Sequence, residues 1–100
     1  MELSEIGVSA GVHMAKTEHF AQATTTGGTE LFARPVLNDQ TAIEKLIDDA
    51  AGHGAVAIVI DMTASAAQLL LTIAAQRQVP VAYVTGLQRE DVPLLVEVRW

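Results

Sequence analysis

Few side chains in this sequence stand where they could do chemistry, and the foremost is His13. It lies in Gly11-Val12-His13-Met14-Ala15-Lys16, after an apolar run that starts at Ile6 and before Thr17 and Glu18. A central strand of that kind delivers one polar side chain to the floor of a site. The imidazole can bind a metal, although a lone histidine on a buried strand is more often simply hydrogen-bonded. Asp61 directly follows six apolar residues, Ala55–Ile60. At a strand-to-helix junction, its carboxylate either faces a site or caps the next helix. Lys16 is placed to touch phosphate or to sit in solvent at a strand end. His19 and His53 have no partners at metal-ligand spacing. Ser65 lacks nucleophile-elbow surroundings and suits a helix start. Gly27-Gly28 marks a turn, because no Gly-Lys-Ser/Thr follows to make a phosphate loop.

The elements that must position these residues follow from periodicity. Ile6, Val8, Ala10, Val12 and Met14 alternate with smaller or polar residues, so the first strand covers Ile6–Met14. A second covers His19–Thr25, and the glycine pair then turns the chain into a third, Glu30–Val36. Pro35 cannot donate to a ladder, which puts that strand at an edge. Asn38-Asp39-Gln40-Thr41 opens a helix, capped by Asn38 or by a Thr41–Glu44 box, with Ala42, Ile43, Leu46, Ile47 and Ala50 in one stripe. Gly52-His53-Gly54 stops it, with glycine available for a left-handed cap. Ala55–Ile60 is apolar without alternation, the pattern of a central parallel strand buried on both faces. A second helix spans about residues 63–78, and Val81–Val84 makes a fifth strand after Pro80.

The order βββαβαβ predicts an α/β protein with one mixed five-stranded sheet, order 3-2-1-4-5, in which strand two alone is reversed. Right-handed crossovers place both helices on one face. Strand four is apolar on both faces and strand five nearly so; the second face is therefore expected to be left uncovered and to drive homo-oligomerisation. Residues 6–86 form the domain, and residues 87–100 are a tail to which no structure is assigned.

The chain has 100 residues, enough for one domain. Half of them are hydrophobic and 4% aromatic, so the core is built from Ala, Val, Leu and Ile. Twelve acidic against six basic residues give a formal charge of −6, which argues against unaided, non-specific nucleic-acid binding. A metal-dependent nucleic-acid enzyme is not excluded, because metal sites are themselves acidic. With no cysteine, disulfides and thiolate-zinc sites are ruled out. A leader and an apolar run of membrane-spanning length are both lacking, so a soluble cytoplasmic protein with no membrane partner is expected.

Three antiparallel strands followed by helix, strand, helix, strand are the opening half of the RNase H-like (RuvC-like) fold. Residues Gly11 to Phe20 resemble the first motif of the DEDD insertion-sequence transposases, relatives of the Piv DNA invertase. That motif reads Gly-hydrophobic-Asp-hydrophobic-Gly/Ala-Lys, with a His three residues after the Lys. Arg34-Pro35-Val36 with Asn38-Asp39, then Val59-Ile60-Asp61, then Pro80 to Leu87 are similar to the same family in order and spacing. The likeness covers about residues 11–87.

The resemblance implies a DNA recombinase that moves mobile elements, with DNA and in some members a guide RNA as partners. It also implies four carboxylates holding divalent metal, Mg2+, and a separate C-terminal domain with a serine. His13 stands at the first carboxylate and Asp61 at the second. The last two belong in a Lys-Thr-Asp-x-x-Asp context after the fifth strand, and nothing of that form follows Leu87; Glu90, Asp91 and Glu97 lie in unmatched sequence. Carboxylates at the ends of neighbouring strands can share the metals of two-metal phosphoryl transfer. Magnesium prefers oxygen ligands and imidazole suits softer metals, so this chain is expected to be a truncated, catalytically inactive piece with at most weak metal binding at Asp61. Two other classes compete with that reading. One is a non-catalytic interaction module, and the other is a half-domain of an actin-like or sugar-kinase-like ATPase, whose first strand also ends in an Asp-Gly motif.

Overall fold

A computed structural model describes residues 5–61, 66–84 and 98–99, with residues 61, 84, 98 and 99 described by their backbone. The alternating segments form a meander: β1 (Val8–His13), β2 (Glu18–Thr25) and β3 (Glu30–Leu37). Gly28 supplies the left-handed residue of the β2–β3 turn, at φ 96°. Thr25 closes that turn, its N–H donating to Thr29 O and its O accepting from Gly28 N–H, both at 2.9 Å. Helix α1 (Gln40–Ala51) leads to β4 (Val56–Asp61), α2 (Gln68–Gln76) and β5 (Val81–Val84). A two-residue strand, β6 (Val98–Arg99), pairs antiparallel with β5. The sheet order is β3-β2-β1-β4-β5-β6, the expected five strands in the expected order with a sixth added from the tail.

β1 runs antiparallel to β2 on one side and parallel to β4 on the other, with Val8 opposite Val56 and Val12 opposite Ile60. Alternation sends Val8, Ala10 and Val12 of β1 and Val56, Ile58 and Ile60 of β4 into one cluster. Ile43, Leu46, Ile47 and Ala50 of α1 and Leu70, Ile73 and Ala74 of α2 join that same cluster. The helices also touch each other, so both lie on one face, as right-handed crossovers require. Ala10, Ala21 and Ala23 on that face are at most 1% exposed, and their small size lets the helices approach the sheet closely.

The second face differs from expectation. Ser9, Ala57, Val59 and Ala82 lie outside the helix-side cluster, yet none is more than 2% exposed. The apolar side chains of the central strands are therefore not left bare there. Among the described residues, the large hydrophobic side chain that is exposed is Leu37, at the end of edge strand β3.

Three local details depart from the pattern reading. The N-cap of α1 is Asp39, whose Oδ1 accepts from Ala42 N–H at 2.8 Å, rather than Asn38 or Thr41. Gly52 after α1 is right-handed, and the positive φ belongs to Gly54. Helix α2 stops at Gln76, two residues short of expectation, because Gln78 takes φ 57°. Val79 N–H then reaches back to Ala74 O at 2.8 Å and Gln78 N–H to Ala75 O at 3.2 Å. That pair of bonds is a Schellman closure with glutamine in the place glycine usually takes. The expected first turn of α2 at residues 63–65 lies outside the described residues.

These contacts set an order of sensitivities. Leu46→Ala empties a fully buried position and should cost about 2–5 kcal/mol, and Asp39→Ala about 0.5–2 kcal/mol through the lost cap. Thr41→Ala, on the exposed side of α1, should stay within roughly 0.5 kcal/mol. Urea unfolding at constant m-value measures all three. A Thr41 effect larger than that of Asp39 would contradict the cap assignment.

Candidate functional site at the carboxyl end of the parallel pair

Parallel pairing gives β1 and β4 a common carboxyl end. The register reaches Val12 opposite Ile60, and each strand runs one residue further, to His13 and to Asp61. The two sequence-predicted residues are thus brought to adjacent strand ends, roughly 4.8 Å apart by strand spacing. On its other side His13 is opposite Phe20, and Asp61 is opposite Val84 of β5. The His13 imidazole is half-buried, and its Nε2 is enclosed without a hydrogen-bond partner among the described residues.

Residues 14–17 connect β1 to β2 beside these strand ends, and side chains hold their backbone. Ala15 N–H donates to His19 Nδ1 at 3.0 Å. Asn38 Nδ2 donates to Lys16 O at 3.1 Å, and Asn38 N–H donates to Thr17 O at 3.0 Å. Because His19 Nδ1 accepts, the neutral ring carries its proton on Nε2. That atom is buried and unpartnered, as is Asn38 Oδ1. His19 itself is 1% exposed and sits opposite Val36.

Sequence reasoning set His19 aside for want of a ligand partner and treated Asn38 as a helix cap. The signal that could have found His19 is its parity: it shares the inward face of β2 with Ala21 and Ala23. A buried imidazole there needs a partner. Nothing in the sequence marks Asn38 as a loop clamp, since its contact is made across 22 residues.

Lys16 is exposed at the tip of this loop. Among the described residues Arg34 and Lys45 both reach Asp49, at 2.7 and 3.2 Å, and Arg77 bonds Asp48, whereas Lys16 has no ion pair. Arg34, part of the family-like Arg34-Pro35-Val36, also lies 4.4 Å from the centre of the Phe32 ring, so its charge is engaged in joining β3 to α1. A groove of about 300 Å³ runs between those two elements, lined by Arg34, Pro35, Val36, Leu37, Ala42 and Lys45. His53 lies exposed in the turn after α1, and Ser65 is outside the described residues.

The fold and the paired strand ends define an RNase H-like α/β domain. The profile of the IS110-type DEDD transposases, described as Transposase, matches residues 10–96. The uncharacterized 43.6 kDa protein of insertion element IS110 from Streptomyces coelicolor is 30% identical over 87 residues, covering 86% of this chain. This chain belongs to the IS110-type DEDD transposase family and spans 22% of that relative's length.

The family points to a divalent-metal requirement. Among the described residues no group of three His, Cys, Asp or Glu side chains comes together to hold a metal ion. At the shared strand end, one of the two candidate positions carries an imidazole, a poor ligand for a hard cation such as magnesium. The described residues do not fit a magnesium centre. Among them, too, no helix is long and apolar enough to cross a membrane.

The hydrogen bonds from Arg34 and then Lys45 hold the Asp49 carboxyl below the usual carboxylate range. A depressed carboxylate contributes stability above its unfolded-state pKa and loses it as the pH falls through the lowered native value. Because Asp49 lies at the surface, that contribution is small. A carbon-detected titration should place Asp49 below ordinary aspartates, and Arg34→Ala should move its midpoint upward. An unmoved midpoint would show that the Arg34 contact is not maintained in solution.

Proposed function

We propose that this chain is the RuvC-like N-terminal portion of a DNA transposase, that it engages nucleic-acid phosphodiesters, and that it does not cut them by itself. The family match over residues 10–96 supports the first part. His13 supports the last: it occupies the position of the first family carboxylate, beside Asp61 at the position of the second. Phosphoryl transfer through two metals needs oxygen ligands that clamp both the attacking and the leaving oxygen. An imidazole at residue 13 removes one of them.

DNA is the substrate in this reading, and a guide RNA, which the resemblance implies for some members of the family, is the alternative polymer. The net charge of −6 means that attraction to phosphates must come from a local arrangement of cations and not from the charge of the whole domain.

Two measurements test the proposal. Supercoiled DNA incubated with the chain and magnesium or manganese should remain unnicked, for the natural sequence and for His13→Asp alike. Metal-dependent nicking that disappears in Asp61→Asn would overturn the inactivity. Retention of labelled DNA or RNA at low salt is expected. Thermal stabilisation by ATP without any such retention would replace this reading with a nucleotide-binding one.

A further inference from the structure

We propose that Lys16 is the phosphodiester contact of this domain, with His19 and Asn38 as the positioning residues that fix its loop. The inference rests on the nucleic-acid reading above and adds the residues that carry the contact.

Three observations converge on residues 14–17. The first concerns backbone order. A short hairpin connection exposed to solvent can satisfy its polar groups with water, yet here Ala15 N–H, Lys16 O and Thr17 O are each bonded by a residue from outside the loop. His19 holds it from within β2, and Asn38 from the β3–α1 junction, next to the residue that caps α1. The Lys16 backbone is therefore tied to both the sheet and the helix layer. A lysine stem has much rotamer entropy to lose on binding, and a fixed backbone limits how much more must be lost.

The second observation is charge. Of the cations whose side chains are described, Arg34, Lys45 and Arg77 are committed to Asp48 or Asp49 and Lys16 alone is unpaired. In a chain of net charge −6, an unpaired ammonium beside the shared end of β1 and β4 is the group best placed to meet an anion. The third is unmet hydrogen bonding. Asn38 Oδ1, on the residue whose Nδ2 holds Lys16 O, is buried without a partner among the described residues, as is His13 Nε2 at the end of β1. Buried polar atoms without partners are uncommon enough that each calls for a reason. A site completed by a polar ligand, or by the water that ligand displaces, supplies one.

The chemistry recognised is the phosphate oxygens of a nucleic-acid strand, which DNA and RNA share. Binding of a short end-labelled DNA duplex and of a single-stranded RNA of the same sequence should be measured across a range of salt. Lys16→Gln should reduce the slope of log affinity against log salt by about 1 and leave the unfolding temperature unchanged, whereas Lys16→Arg keeps both slope and affinity. The larger loss of affinity identifies which polymer Lys16 touches.

His19→Leu and Asn38→Ala should each speed hydrogen exchange at residues 15–17 and reproduce part of the Lys16→Gln loss. His19→Asn, which offers an acceptor oxygen near the position of Nδ1, should restore protection of the Ala15 amide. If the natural chain binds nucleic acid but Lys16→Gln binds with the same affinity and slope, this inference is wrong and the transposase reading stands. If Lys16→Gln weakens binding while both clamp variants exchange and bind like the natural chain, the positioning roles are wrong. If the natural chain retains neither polymer at any salt, the nucleic-acid reading fails and this inference with it.

Discussion

The parallel ladder between β1 and β4 is the constraint from which the rest of the structure follows. It joins a strand from the N-terminal meander to one that arrives through a helical crossover, so it cannot form until α1 has turned the chain back. Once Val8 lies opposite Val56, alternation fixes which residues meet the helices, and both crossovers are confined to that face. A slip of one residue would turn Ser9 and His13 toward the helices and Val8, Ala10 and Val12 away from them. The cost of losing those apolar residues from the core is what holds the register. The same register sets His13 and Asp61 side by side.

Polar groups near the strand ends show how the layers are tied together. His19 occupies an inward position on β2 that in an ordinary strand would hold a small apolar residue such as its neighbours Ala21 and Ala23. It makes up for the burial by accepting a hydrogen bond from the loop that precedes it. Asn38 and Asp39 are adjacent in sequence but serve different elements, the first bonding the β1–β2 connection and the second capping α1. Through this pair, the end of β3, the start of α1 and the loop beside the strand ends share one hydrogen-bonded junction. On the opposite edge of α1, Asp48 and Asp49 gather three cations at the surface. Those pairs add little stability, but they remove Arg34, Lys45 and Arg77 from competition for an anionic partner.

Membership in a transposase family does not by itself make this chain a catalyst. The scaffold that would present carboxylates from adjacent strands is in place, while the residue presented by β1 is an imidazole. An RNase H-like sheet is stabilised by its alternating apolar face, which is indifferent to the identity of one side chain at the strand end. The fold can therefore form whatever residue stands at position 13, and in this chain that residue is His13.

The sequence alone determined the order of the elements, the edge position of β3, the burial of β4 and the sharing of one face by both helices. The first three depend on local patterns, a period of two or 3.6 residues, a proline that cannot donate or an unbroken apolar run, and the last on the right-handedness of crossovers between strands so ordered. It also singled out His13 and Asp61, because a polar residue closing an apolar run is visible without coordinates. Tertiary structure decided the rest. Asp39 directly precedes α1 and caps it, while Asn38 bonds the Lys16 carbonyl, a contact 22 residues distant in sequence. Gln78 ended α2 early through a backbone conformation that side-chain periodicity does not encode. The second face proved buried at Ala57, Val59 and Ala82, where counting helices had left it bare. The clamp on residues 14–17 was not legible either, since a hydrogen bond depends on which atoms folding brings within about 3 Å, and only the register of β1, β2 and β3 together settles that.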